Sequence, residues 1–243
     1  LAVLIIAIVA AELGKAVSKE TKVDILVTPL VTIFAGVGLS MLIAAPIGAA
    51  ASQVGTLIMW ATEQAPLVMG ILVSVIVGVA LTLPISSAAI CAALGLTGLA
   101  GGAAVAGCCA QMVGFAVMSY KENGVGGLVS QGLGTSMLQM PNILRNPRTW
   151  IPPTLAAAIT GPIATCLFHL EMNGPAVSSG MGTCGLVGQI GVYTGWIESG
   201  KAVTAFDWIG LVLICFVLPA VLSTIFCEVL RKKGWIKEGD LKL

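Results

Sequence analysis

Charge is what this sequence has least of: 12 Lys and Arg, 11 Asp and Glu and a single histidine among 243 residues leave only 9% of positions charged. Soluble domains carry about a quarter, so no ordinary water-facing surface can be built from this composition. A net charge of +1 gives no basic surplus for a nucleic-acid backbone, and no nucleic-acid partner is expected. CxxC pairs are absent; the seven cysteines, at 91, 108, 109, 166, 184, 215 and 227, fall in apolar or glycine-rich stretches where a thiol packs as a small hydrophobe. Neither a disulfide nor zinc is expected, and no metal or cofactor is called for. The opening LAVLIIAIVAAELGK lacks a methionine, a basic leader and a cleavage site. It reads as the end of a helix whose start precedes the supplied residues.

What the sequence does have is apolar length, with 57% hydrophobic residues and a mean hydropathy of +1.02. Charge-free windows run over 25–62, 64–120, 123–144, 149–170, 172–197 and 208–227. Each reaches the roughly 20 residues that cross a bilayer as helix, and the window 64–120 must hold at least two crossings. A membrane β-barrel would alternate apolar and polar residues, whereas ILVSVIVGVALTL (71–83) is solidly apolar. Thirty glycines, with many alanines and serines, suit helices packed closely on helices. The expectation is an all-α integral membrane protein, a polytopic helical bundle forming one transmembrane domain over 1–243. Helices are expected at 1–14, 25–48, 66–83, 100–119, 150–170 and 207–230. Between them fall a charged turn (15–24), an interfacial piece (51–64), a glycine-rich connection (121–149) and a polar loop (194–206).

Two stretches break the pattern of simple spans: PISSAAICAALGLTG (84–98) and PAVSSGMGTCGLVG (175–188). Each opens with proline and a serine pair before small residues. Proline stops a helix and glycine permits the reversal of a chain that enters the membrane and turns back. Paired interruptions of this kind point to a transporter's midplane site, so two re-entrant hairpins are expected, with ordinary kinked helices as the alternative.

The ionisable pair His169 and Glu171 lies where a helix hands over to the second interruption, followed by Asn173 and the hydroxyls of Ser178, Ser179 and Thr183. Ser86 and Ser87 take the equivalent place in the first. Carboxylate, amide, imidazole and hydroxyl groups are the donors and acceptors a sugar requires, and these eight residues are the candidate substrate site. Residues two apart do not share a helical face, so His169 and Glu171 converge only if the helix ends between them, which Asn-Gly-Pro at 173–175 favours. The other outcome is a pair facing lipid headgroups at the interface. Gln111 and Gln139 could face a cavity, interhelical hydrogen bonding being their commoner use. Trp150, Trp196 and Trp235 read as interfacial aromatics.

Orientation follows the Lys and Arg bias of short loops. Arg231, Lys232, Lys233 and Lys237 place the C-terminal segment in the cytoplasm, and Lys121, Arg145 and Arg148 place the long connection there too. Lys15, Lys19 and Lys22 resist this scheme: either a further segment, such as 51–64 or 125–144, crosses, or Glu12, Glu20 and Asp24 accompany an exception to the rule.

LPISSAAI (83–90), PNILRNPRTW with IPPTLAAAITGP (141–162) and NGPAVSSGMGTCGLVGQIG (173–191) resemble the phosphotransferase-system EIIC family, in the branch of perfringolysin O regulator-like (PfoR-like) membrane proteins. The resemblance spans nearly the whole chain. It implies a multi-pass cell-membrane sugar permease with paired hairpins, often a homodimer, embedded among membrane lipids. Cytoplasmic EIIB- and EIIA-type phosphocarriers would phosphorylate the sugar, and a His and a Glu near the hairpins, here His169 and Glu171, would contact it. No residue suited to carrying a phosphoryl group lies in a soluble segment, so the chain is expected to be a permease component with catalysis left to its partners. A non-transporting sensor with the same fold and an ion-coupled transporter of a small organic anion are the other classes open.

Overall fold

The computed structural model describes residues 2–18 and 24–243, so Lys19, Glu20 and Lys22 of the expected charged turn lie outside the described residues. The described residues are helical or irregular, without a strand, and divide into two compact units, 1–54 and 55–243. In the first, α1 (Ala2–Val17) lies antiparallel to the early part of α2 (Asp24–Gln64): Gly14 faces Thr32 and Gly36 faces Ala10. Ala10 is buried by that approach. The stretch 51–64, expected as an interfacial piece, instead continues α2 without a break.

The second unit is organised around α5 (Gly98–Met118), the most buried helix of the chain. Its neighbour α3 (Pro66–Thr82) runs parallel to it, because Ser74 meets Gly107 while Thr82 meets Gln111. Two parallel neighbours in sequence need a return segment between them, and α4 (Ser87–Leu94) supplies part of it. The antiparallel third member is α8 (Ile151–Pro162), which continues as a π-helical turn to Leu167. Ser74 Oγ donates to the Ala157 carbonyl at 2.8 Å, and Gln111 Nε2 to Thr154 Oγ1 at 3.1 Å.

The three helices approach so closely because glycines stand where they cross. A Cβ on Gly107 would lie 2.7 Å from Ser74 Cα, and one on Gly78 would lie 2.7 Å from the Gly107 carbonyl oxygen. Alanine itself does not fit at either point. Around this trio lie α6 (Tyr120–Val129), α7 (Met140–Arg145), α9 (Val187–Glu198), α10 (Ala205–Val212) and α11 (Leu218–Lys232), the last two joined through a π-helical turn. Thr204 opens α10 with a capping box closed by Asp207. Among the described residues, three helical stretches are long and apolar enough to cross a membrane: Gly98–Met118, Pro147–Leu167 and Ala205–Lys232. The second lies three residues earlier than the span expected at 150–170, and the third extends the one expected at 207–230.

The second unit has two chemically different ends. At one, the connection 119–148 and residues 228–243 are tied together by Lys121–Glu228 (2.9 Å), Arg231–Glu122 (3.1 Å) and Asn146 Nδ2 to the Trp235 carbonyl (2.9 Å). Eight of the twelve Lys and Arg residues gather there against four acidic residues. The other end collects the start of α3, the turn after Leu167 and the loop before α10, since Thr165 donates to the Pro66 carbonyl and Phe168 stacks on Phe206 at 4.8 Å. Glu63, Glu171, Glu198 and Asp207 outnumber Lys201 there, which pairs with Asp207, so this end is acidic. Trp235 sits at the basic end between Arg148 (5.1 Å) and Lys233 (5.7 Å), as an interfacial aromatic would. Trp196 does not: it is only 3% exposed, packed in the core beside Trp208.

Because the α3–α5 crossing has no room for a side chain, Gly107→Leu should cost about 1–3 kcal/mol or more. A large fall in the melting temperature of the purified protein is expected, with no comparable change for Gly126→Ala, where nothing lies within 4 Å. Equal melting of the two variants would contradict the packing described.

Candidate functional site

The first interruption follows from its sequence. Leu83 closes α3 by donating to the Val79 carbonyl, Pro84 bars a further helical turn, and Ser86 restarts the helix as its N-cap, accepting from Ala89 N at 3.1 Å. After the eight residues of α4, Gly95, in the left-handed region at φ 64°, ends the helix. The chain reaches α5 through Leu96 and Thr97. This interruption is therefore a single short helix with an irregular tail, where a two-armed hairpin was the expectation.

The second interruption has the two arms expected of a re-entrant hairpin. After Leu167 the chain leaves the helix at His169, whose φ of 43° is unusual for a residue with a side chain. An irregular arm then follows α5: Met172 pairs with Gly98, Gly182 lies against Cys108 and Cys109, and Thr183 reaches Met112. A tight turn at Gly185 and Leu186 (φ 52° and 59°) sends α9 back. The two arms meet through Gly188 against Gly182, Gly191 against Ser178 and Gly195 against Gly174. The spacing of three and four residues puts those α9 glycines on one face, and both ends of the hairpin lie at the acidic end.

The two interruptions hold one another. Ser87 Oγ donates to the Gly180 carbonyl at 2.6 Å, and Ser179 Oγ donates to the Leu96 carbonyl at 2.7 Å. Gly98 and Met172 exchange both backbone hydrogen bonds at 3.0 Å. Broken helices leave carbonyls that water cannot reach in the membrane interior, and here each serine hydroxyl satisfies a carbonyl freed in the other segment.

The expected site residues consequently fall into three groups. Ser87, Ser179 and Thr183 are buried and bonded to backbone carbonyls, Thr183 to Gly132 at 2.5 Å, and Ser178 is buried against Gly191. His169, Glu171 and Asn173 are exposed at the acidic end, where Asn173 Nδ2 donates to Glu171 Oε2 at 2.9 Å. Ser86 and Ser87 border an open cleft of about 430 Å³ near the basic end. Leu81, Pro84 and Ile85 form one side of it, Gly134, Thr135 and Met137 another, and Met181 and Cys184 a third. The polar groups thus do not form one cluster. Ser179 lies by Gly101 and Glu171 by Gly102, but Thr183 lies by Met112, ten residues beyond Gly102 along α5, which is about 15 Å at 1.5 Å per residue.

Thr135 and Met137 were not anticipated, although GLGTSM repeats the signal that marked the other two segments, a hydroxyl pair in a run of small residues. Ser86 and Thr135 each accept a backbone N–H, from Ala89 and Met137. Their own hydroxyl protons have no protein acceptor among the described residues. Behind the wall, Thr82 and Ser136 hydroxyls lie 2.9 Å apart, and Gln111 bonds Trp150 and Thr154. Gln111 and Gln139 therefore act as interhelical and interloop ties, and neither lines the cleft.

Buried crossing helices, interruptions clasped face to face and polar mouths at opposite ends define a helical membrane protein of the transporter kind. The family model for the phosphotransferase system, EIIC, matches residues 1–243, and the chain belongs to that family. It is a membrane permease component of a sugar phosphotransferase system, a system in which EIIB and EIIA components cooperate with it. No curated protein and no solved structure matches the chain.

Loss of either serine hydroxyl leaves a buried carbonyl without its partner, at a cost of about 0.5–1.5 kcal/mol. Ser87→Ala and Ser179→Ala should each lower the melting temperature, and the double variant should depart from additivity because both act on one contact. Strict additivity, or no shift, would contradict the clasp.

Proposed function

We propose that the chain carries a neutral sugar between the two ends of its second unit, with the cleft bordered by Ser86, Ser87 and Thr135 as the binding site. The observation that carries this reading is the cleft itself. It is walled by both interrupted segments, so any relative movement of the two changes its shape. Its lining holds hydroxyls and apolar side chains and no charged side chain, which suits a polyol and disfavours a small anion. A volume of about 430 Å³ lies within the usual range for small-ligand sites.

In this reading His169, Glu171 and Asn173 form the opposite mouth, where a sugar first exchanges water for protein hydrogen bonds. The second hairpin moves against α4 and α5 to connect one mouth with the other. Ser179 and Thr183 serve as the contact surface of that movement, and Ser178 packs inside the hairpin against Gly191. The excess of Lys and Arg at the end formed by 119–148 and 228–243 supports a cytoplasmic side for that end. An EIIB-type phosphocarrier then meets the cleft from that side, and the acidic mouth opens outward. The sequence resemblance to the PfoR-like branch supports a second reading, a sensor that keeps the site and does not transport.

Two measurements test this. Hexoses and hexitols screened against the purified protein should include one that raises the melting temperature and slows alkylation of Cys184, which lines the cleft. Ser86→Ala and Thr135→Val should each weaken that ligand by about 2–10-fold, the value of one hydrogen bond. Glu171→Gln should leave equilibrium binding unchanged and slow exchange. Stabilisation by small anions alone, or binding abolished only by Glu171→Gln, would overturn the assignment. Counterflow of the bound sugar in proteoliposomes separates a permease from a sensor, since only the permease exchanges label.

A further inference from the structure

The wall of the cleft that the sequence did not announce, Gly134 to Met137, is bracketed by two fully buried glutamines, Gln131 and Gln139. They bond each other, Gln139 Nε2 donating to Gln131 Oε1 at 2.9 Å, so the wall is a loop closed at its base. The second Gln139 amide proton goes to the Leu241 carbonyl at 3.0 Å. Its oxygen accepts from Asn142, whose nitrogen also reaches the Lys242 carbonyl at 2.9 Å. Gln131 in turn donates to Ser119 Oγ at 2.7 Å.

The segment 239–243 is itself firmly held. Leu241 is wholly buried in a cluster with Phe115, Met118 and Ile143. Asn123 grips it from both sides, donating to the Leu241 carbonyl and accepting from Leu243 N, each at 2.8 Å. Gly239 N donates to Glu122, which also holds Arg231. A surface tail has no need of this many hydrogen bonds, of which the one from Gln139 is wholly buried. Every one of them leads to the connection 119–146, and through Gln139 to the loop that walls the cleft.

We propose that Gln139 is a positioning residue for the cleft, and that residues 239–243 set the cleft's geometry by holding Gln139. The inference rests on reading the cleft as the binding site, in that the geometry it controls is then substrate affinity. Gln139 touches no cleft-lining surface, so its effect passes through the backbone from 134 to 137. The Thr82–Ser136 and Thr183–Gly132 bonds fasten the same loop to α3 and to the second interruption. With the base released, the loop loses its tie to residues 239–243 and keeps these lateral ones.

Alkylation by N-ethylmaleimide tests this without any ligand, so its outcome is independent of whether a sugar binds. Cys184 in the cleft reports on the wall, and the exposed Cys166, away from it, reports on the protein as a whole. Gln139→Met keeps the side-chain length and removes both amide donors; Asn123→Leu removes two of the bonds that hold the segment 239–243 while leaving Gln139 intact. Each should accelerate Cys184 labelling about tenfold, the opening expected when one or two hydrogen bonds are lost, with Cys166 unchanged. Lys121→Gln, which breaks a surface ion pair at the same end, should change neither rate. Unchanged Cys184 labelling in both variants overturns the proposal, and so does equal acceleration of Cys184 and Cys166, which marks general loosening.

Discussion

Everything in the second unit depends on backbone polar groups that must find partners where water does not reach. A continuous helix solves that problem internally, and α5 does so over its whole length. The two interruptions cannot. Each exposes carbonyls at its breaks, and each is stabilised by hydroxyls of the other, so neither segment has a settled conformation without its counterpart. That mutual requirement explains why the serines sit in pairs beside proline. It also fixes where a cavity can form, since two irregular segments leave space that close-packed helices would fill.

Glycine provides the other half of the arrangement. The crossings of α3 with α5, of α8 with α3, and of α9 with the irregular arm all bring backbone within contact distance of backbone. With lipid as solvent, helix association gains nothing from hydrophobic burial, so contact area at short range has to supply the attraction. The Gly188, Gly191 and Gly195 face of α9 illustrates the consequence. It brings the two arms of the second hairpin to backbone distance along their length, so the hairpin packs as one piece.

Much of the fold was legible because a membrane simplifies the code. The scarcity of charge marked the solvent, windows without charge marked the helices, and proline with serine marked the breaks. The lengths of α3 and α5 came out nearly as expected. What was not legible was relative position. His169 and Glu171 looked like partners of Ser178 and Ser179 because they are near in sequence. Packing separates them: the two serines are buried, Ser178 against α9 and Ser179 against α5 and the first interruption, whereas His169 and Glu171 are exposed. Thr135 and Met137 were hidden in a glycine-rich connection that resembles a loop, and only the fold shows them facing Ser86. Trp196 was misplaced for a similar reason: the residues around it are polar, yet the packing of α9 buries the ring beside Trp208. The glutamine ties at 131 and 139 carry no periodic signal.

The claim on which the rest stands is the location of the sugar. A structure determined with the stabilising hexose bound would decide it directly. The account predicts sugar density between Ser86, Thr135 and Met181, with hydroxyls within hydrogen-bond distance of the two side-chain oxygens. Density confined to His169, Glu171 and Asn173, with the cleft near the basic end empty, would contradict it.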